Sequence, residues 1–293
     1  MLKCNHVNIV RIYHMEEDLS QYYLCTELCQ ESVEIAVQLG KYGLMDARIQ
    51  LCRAMAEGVQ AFHDAGFVHG NLSPSNFLVE DGVPRLCGFS SSVPFNEAAI
   101  AIKLNTIAGT RGYMPAEVIA GRKLHVIVEV ANPLAVDTFA LGATLCFVLS
   151  AGTQPFRANA TGGTAIERNI MTGSHGIDDI DSLSAEAKHL VSRMLSVSPI
   201  ARSSYSTQYV LQHPLFWSVQ EKVNYLGESV GNVLDVRKHK SKMPFVMDLE
   251  ALVDTELGPY NEGKPDEGGS WSRQLNPKYP LTGEWVRHGT AQF

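Results

Sequence analysis

The sequence predicts an α+β fold, and three observations carry that prediction. Two runs rich in β-branched and aromatic residues open the chain. A long stretch with apolar residues at helical spacing follows, and a polar loop then leads into two short apolar runs joined by an acidic glycine turn. Farther on, the apolar stretch Phe139 to Leu149 reads as a buried helix and the stripes from Val219 and from Phe245 as helix faces, so strand and helix signals both occur.

Composition sets the outer bounds. The 293 residues suffice for one large domain or two smaller ones with a sizeable core. A hydrophobic share of 45% and a charged share of 19% are those of an ordinary soluble globular protein. The net charge of −7 argues against a general nucleic-acid footprint. Six cysteines (Cys4, Cys25, Cys29, Cys52, Cys87, Cys146) are scattered without a C-x-x-C pair, which favours reduced thiols in core packing over a zinc site. The first residues lack a signal-peptide core. The longest apolar stretch, Phe139 to Leu149, is about half of what a bilayer needs and reads as a buried core helix.

In chain order, Ile9-Val10-Arg11-Ile12-Tyr13 and Tyr22-Tyr23-Leu24-Cys25-Thr26 flank a polar stretch, Glu16 to Ser20, and predict a two-stranded hairpin. Such a hairpin is not stable alone and must pack against the rest of the chain. Residues 45–66 predict a helix: Cys52, Met55, Ala56, Val59, Phe62 and His63 share one face, Asp46 is the N-cap and Gly66 the stop. His63 reads there as a packing residue. After the loop Val68 to Asn76, the runs Phe77-Leu78-Val79 and Pro84 to Phe89 form a second hairpin about the turn Asp81-Gly82. A polar segment, 90–119, carries Ser90, Ser91, Ser92 and Thr106, whose hydroxyls are ordinary loop chemistry. Val219, Val223, Leu226, Val230 and Val233 predict one further helix face, and Met243-Pro244 with Phe245, Leu249, Leu252 and Val253 another. Residues 258–293 are rich in Gly, Pro and charge and read as a flexible tail.

Helix, polar loop and hairpin is the layout of a protein-kinase catalytic loop, whose signature is H-R-D-L-x-x-x-N and then D-F-G. This chain reads His69-Gly70-Asn71-Leu72-Ser73-Pro74-Ser75-Asn76 and then Gly88-Phe89-Ser90, and so resembles a kinase in frame but not in chemistry. By that resemblance Asn71 occupies the place of the proton-accepting base, and an amide cannot take a proton near neutral pH. Gly88 stands where the metal-holding aspartate belongs, and Ser73 where a lysine is common. Asn76 alone keeps its position, that of the magnesium-binding asparagine, and His69 a positioning role. No glycine-rich phosphate loop and no V-A-I-K lysine strand is found. Glu27-Leu28-Cys29 resembles the hinge at the nucleotide site, so Glu27 and Cys29 join Asn76 as nucleotide-contacting positions.

The later motifs extend the likeness. Gly109-Thr110-Arg111-Gly112-Tyr113-Met114-Pro115-Ala116-Glu117 is similar to the end of an activation segment with its alanine and proline exchanged. Asp137 matches the aspartate that braces the catalytic-loop backbone, and Arg202 the arginine that pairs with Glu117. His213-Pro214-Leu215-Phe216-Trp217 and the run Gly268 to Pro277 resemble a narrower group: the endoplasmic-reticulum stress-sensor kinase/endoribonucleases of the inositol-requiring type, with ribonuclease L a relative. The resemblance implies a partial kinase N-lobe over 1–29, a kinase-like, mainly helical C-lobe over 30–217 and a partial endoribonuclease (KEN-type) extension over 218–293. The nuclease motifs themselves are absent, and Tyr279, Arg287 and His288 are ordinary tail residues. The reading is therefore a pseudokinase acting by interaction or dimerisation with itself or a full-length relative. ATP and magnesium are implied by family and weakly held or lost here. The location implied is cytoplasmic, at the cytosolic face of the endoplasmic reticulum. The alternative is a Ser/Thr kinase and endoribonuclease of the unfolded-protein response seen incomplete, with RNA as partner only once the nuclease is completed.

Overall fold

Among the described residues every strand falls within residues 12–94, together with two α-helices, and the longer run of helices follows. The computed structural model describes residues 5–18, 22–95, 109–124, 133–157 and 162–225. Thr106 and everything after Tyr225, including the predicted helices beyond that point, the Gly268–Pro277 link and the tail histidine, lie outside the described residues. Residues 1–222 form one unit and 223–293 a second.

β1 (Ile12–Glu17) and β2 (Tyr22–Thr26) pair antiparallel as a two-stranded sheet. Apart from Ile12, every residue of that hairpin is exposed. Ile9 and Val10 do not belong to it, contrary to the sequence reading. Ile9 bridges Leu86 in parallel, and the backbone of residues 8–10 is tied to Leu86 by two hydrogen bonds. Both side chains are buried in the core. A β-branched run looks the same whether it pairs in a hairpin or fills a core, and here burial decided.

β3 (Glu31–Ser32) leads into α1 (Val33–Gln38), where Ser32 Oγ accepts from the Ile35 N–H as N-cap. α2 (Met45–Asp64) buries Leu51, Cys52, Met55, Ala56, Gly58, Val59 and Phe62. Its N-cap is Leu44, without a side-chain cap, and Asp46 sits inside the first turn. The helix start is instead held by Arg48, whose guanidinium donates to the carbonyls of Tyr42, Gly43 and Leu149. β4 (Phe67–Val68) pairs antiparallel with β7 (Val93–Pro94), closing off the segment between them. β5 (Phe77–Glu80) and β6 (Val83–Leu86) form the predicted hairpin, and β3 pairs on the far side of β5. Asp81 and Gly82 turn it with φ of 50° and 77°, the doubly positive geometry of a tight hairpin turn.

The helical part is α3 (Ala116–Leu124), α4 (Leu134–Leu149), α5 (Gly163–Thr172), α6 (Ala185–Met194), α7 (Pro199–Ser203), α8 (Thr207–Leu211) and α9 (Val219–Tyr225). α4 is its axis: every residue from Ala135 to Leu149 is buried, as an all-round apolar helix must be. α2, α6 and α7 pack around it. Phe139 stacks on Phe156 at 5.6 Å. Ser184, Ser198 and Ser206 each cap the helix that comes next. The five described cysteines are free thiols. No helix among the described residues is long and apolar enough to cross a membrane.

Candidate functional site

The site is a loop held from below. Asp137, fully buried on α4, accepts from the His69 N–H at 2.7 Å and the Gly70 N–H at 2.8 Å, one on each carboxylate oxygen. His63 Nε2 lies 2.9 Å from the same Asp137 oxygen that receives the His69 N–H. Burial pushes the carboxyl of Asp137 up, yet the hydrogen bonds from His63 and from the His69 N–H hold it below the usual carboxylate range. His63 is thus no packing residue. With its proton on Nε2, its Nδ1 accepts from Thr207 Oγ1 at 3.2 Å, so one ring links α2, α4 and α8. Sequence reading missed this because a histidine on an apolar helix face shows nothing of partners 74 and 144 residues away.

His69 is buried between Phe62 and Phe89, edge-on to both. Its Nε2 donates to the Cys87 carbonyl at 2.8 Å, and its Nδ1 accepts from the Asn71 N–H at 3.3 Å. Burial pushes its pKa down, which keeps the ring neutral and this tautomer in place. The ring therefore fixes the spacing between the loop and the strand that leads to Gly88.

Asn71 presents Oδ1, and that oxygen is committed. It accepts from both the Thr110 N–H and the Thr110 hydroxyl, each at 2.8 Å. Asn76 donates from Nδ2 to the Asn71 carbonyl at 2.7 Å, and its Oδ1 faces Gly88. Gly88 is left-handed at φ 77°, and a Cβ there would lie 2.5 Å from Asn76 Oδ1. The carboxamide fills the space a side chain at 88 would need. Ser73 is buried, with its hydroxyl 2.9 Å from that of Ser75.

Glu27 and Cys29, the positions that resemble a nucleotide hinge, have partners of their own. Glu27 accepts from the Arg11 N–H at 2.6 Å and pairs with Arg85 at 3.4 Å. Cys29 is half-buried, and burial, then Glu27, raises its thiol. Arg202, buried on α7, pairs through Nη2 with Glu117 Oε1 on α3. It also donates to the carbonyls of Ala135, Ser196 and Val197 and lies over the Phe139 ring.

A magnesium ion demands oxygen ligands, carboxylates among them, in near-octahedral array. The side-chain oxygens on this loop belong to two amides and two hydroxyls, and that of Asn71 is already spent on Thr110. Among the described residues no three His, Cys, Asp or Glu side chains converge as a metal site. The donor set does not fit a divalent cation.

A model of the protein kinase domain matches residues 1–216. The chain belongs to the protein kinase domain family. Within this kinase family it is 27% identical over 286 residues to the serine/threonine-protein kinase/endoribonuclease IRE1 of Hypocrea jecorina, covering 84% of this chain and 22% of that protein. It is 28% identical over 262 residues to the human serine/threonine-protein kinase/endoribonuclease IRE2, covering 84% and 26%. It is 25% identical over 283 residues to the sensor for unfolded proteins in the ER, ire1, of Schizosaccharomyces pombe, covering 87% and 26%. It is thus a kinase domain related to the first two, which are kinase/endoribonucleases, and it spans about a quarter of the length of all three.

Proposed function

We propose that this chain is a pseudokinase of the stress-sensor kinase/endoribonuclease group, acting by protein interaction or dimerisation rather than phosphotransfer. One observation carries the reading: the two seats that need oxyanions hold Asn71, whose oxygen takes two hydrogen bonds from Thr110, and Gly88, whose side-chain space Asn76 fills. Phosphoryl transfer is catalysed by positioning and by charge on metal and base, so neither seat can be lost cheaply. His69, Asp137, Glu117 and Arg202 then serve architecture, Glu27 and Cys29 line a vestigial nucleotide hinge, and ATP and magnesium are weakly bound or not bound.

The partner is a second copy or a full-length relative, at the cytosolic face of the endoplasmic reticulum, the organelle that the name of the Schizosaccharomyces relative gives for that protein's work. The reading is tested with purified protein, radiolabelled ATP and magnesium. No phosphate transfer above background is expected, and turnover that Asn76→Ala abolishes overturns it. A second reading, an active endoribonuclease in a longer protein, is favoured by the names of the relatives and the share of them this chain spans. Transcript sequencing across both ends, followed by an RNA-cleavage assay on the longest product, separates the two.

A further inference from the structure

His189 on α6 and His213 just after α8 touch ring to ring. His189 Nδ1 lies 3.1 Å from His213 Nε2, with the rings stacked at 5.4 Å and 19°. The second nitrogen of His213 is also used, since Nδ1 accepts from the Leu215 N–H at 3.2 Å and caps the 3-10 turn Pro214–Phe216. These two bonds fix the tautomers: His213 carries its proton on Nε2 and gives it to His189 Nδ1, which must be bare.

We infer that the His189–His213 pair is an acid-sensitive latch that holds residues 213–222 against α6 and opens when either ring gains a proton. The chemistry is stoichiometric. A proton added to His189 Nδ1 sets two N–H groups against each other unless His213 moves its own proton to Nδ1. That move ejects the Leu215 N–H and uncaps the turn. A proton added to His213 Nδ1 uncaps the turn directly. Every protonated state therefore loses one of the two hydrogen bonds that His213 makes.

The charged groups around the pair come from three elements. Glu186 on α6 favours protonation, Lys222 on α9 opposes it, and the two are themselves paired at 2.9 Å. Arg53 on α2 brings a further cation, donating from Nη1 to the Phe216 carbonyl at 3.3 Å. Burial, then His189, pushes the imidazole of His213 down to about 4. A group depressed in the folded state stabilises above its unfolded value and loses that contribution as pH falls from about 6.5 toward 4. The latch is closed at neutral pH and weakens through mild acid.

Hydrogen exchange of the full chain at pH 7.5 and 5.5, corrected for intrinsic exchange, reads the latch. Protection of residues 213–222 is expected to fall about tenfold at pH 5.5, one unit below the ordinary histidine pKa, while α4 keeps its protection. The double variant His189→Phe, His213→Asn removes both titrating rings while an asparagine oxygen can still accept from the Leu215 N–H, and it is expected to bring the two pH values within twofold. Should that variant fail to melt cooperatively, His189→Asn, His213→Asn, which also cannot titrate, takes its place. Three outcomes overturn the inference: wild-type protection at 213–222 that is flat with pH, a pH dependence that survives the non-titrating variant, or an equal loss across α4, which means global acid unfolding.

Discussion

Gly88 and Asn76 occupy one space between them, and this makes the missing carboxylate more than a missing atom group. A Cβ at 88 would stand 2.5 Å from Asn76 Oδ1, and Asn76 is anchored to the Asn71 carbonyl. For Gly88→Asp to be accommodated, Asn76 must rotate off that anchor, and the new side chain must sit at a left-handed φ. We expect a loss of about 1–3 kcal/mol in urea unfolding and no magnesium-dependent ATP turnover. Turnover gained only in the Asn71→Asp, Gly88→Asp double variant supports the pseudokinase reading, whereas magnesium-dependent turnover by the wild type counts against it.

Asp137 is the opposite case, a carboxylate used at both oxygens. Asp137→Asn must turn an NH2 toward either the Gly70 N–H or the His69 N–H. The expected cost is about 3–5 kcal/mol, as for other broken buried charge networks. Because the folded carboxyl is held below its unfolded range, its contribution is complete above that range and vanishes as pH falls through the lower folded value. Urea midpoints between pH 6 and 3 should converge for wild type and variant as the acid end is approached. The loop positions Asn71, Asn76 and Gly88 were legible in the sequence because they lie within one short string and its sequel. His63 was not, since its role depends on Asp137 and Thr207 arriving from other helices.

Helices are joined here by single polar residues as much as by apolar faces. Arg202 ties α7 to α3 through Glu117 and to α4 through the Ala135 carbonyl. Glu117 Oε2 has no hydrogen-bond partner among the described residues, so the pair is incompletely satisfied. Burial raises the Glu117 carboxyl and lowers the Arg202 guanidinium, the mark of a desolvated pair that is held by geometry. Glu117→Gln alone leaves the cation buried and is expected to cost about 3 kcal/mol or more, whereas Glu117→Leu with Arg202→Met should cost less than the sum of the single changes. Thermal or urea unfolding of the four proteins completes the cycle, and additive losses contradict it.

At this scale the sequence was informative where one element carried its own signal. The Asp81-Gly82 turn, the buried face of α2 and the all-apolar α4 could be read directly. Ile9 and Val10 could not, because their partner Leu86 lies in a strand some 77 residues on. Nor could the start of α2, where Arg48 reaches backbone carbonyls in place of an Asp46 cap.

Among the described residues, burial is graded from α4 to the β1–β2 hairpin. Residues 135–149 are buried on all sides, while the β1–β2 hairpin leaves Tyr13, Tyr22 and Tyr23 more than half exposed and pairs only with itself among the described residues. A two-stranded hairpin draws little stability from its own hydrogen bonds, so its opening free energy must come from what packs on it. For a monomer in dilute solution, amides of β1 and β2 should exchange at least about a hundredfold faster than those of α4. The same comparison bears on the proposed self-association. If hairpin protection rises with protein concentration while α4 stays constant, a second copy covers this surface. If it is high and independent of concentration, the hairpin is sheltered within one chain, and the interaction surface must be sought elsewhere.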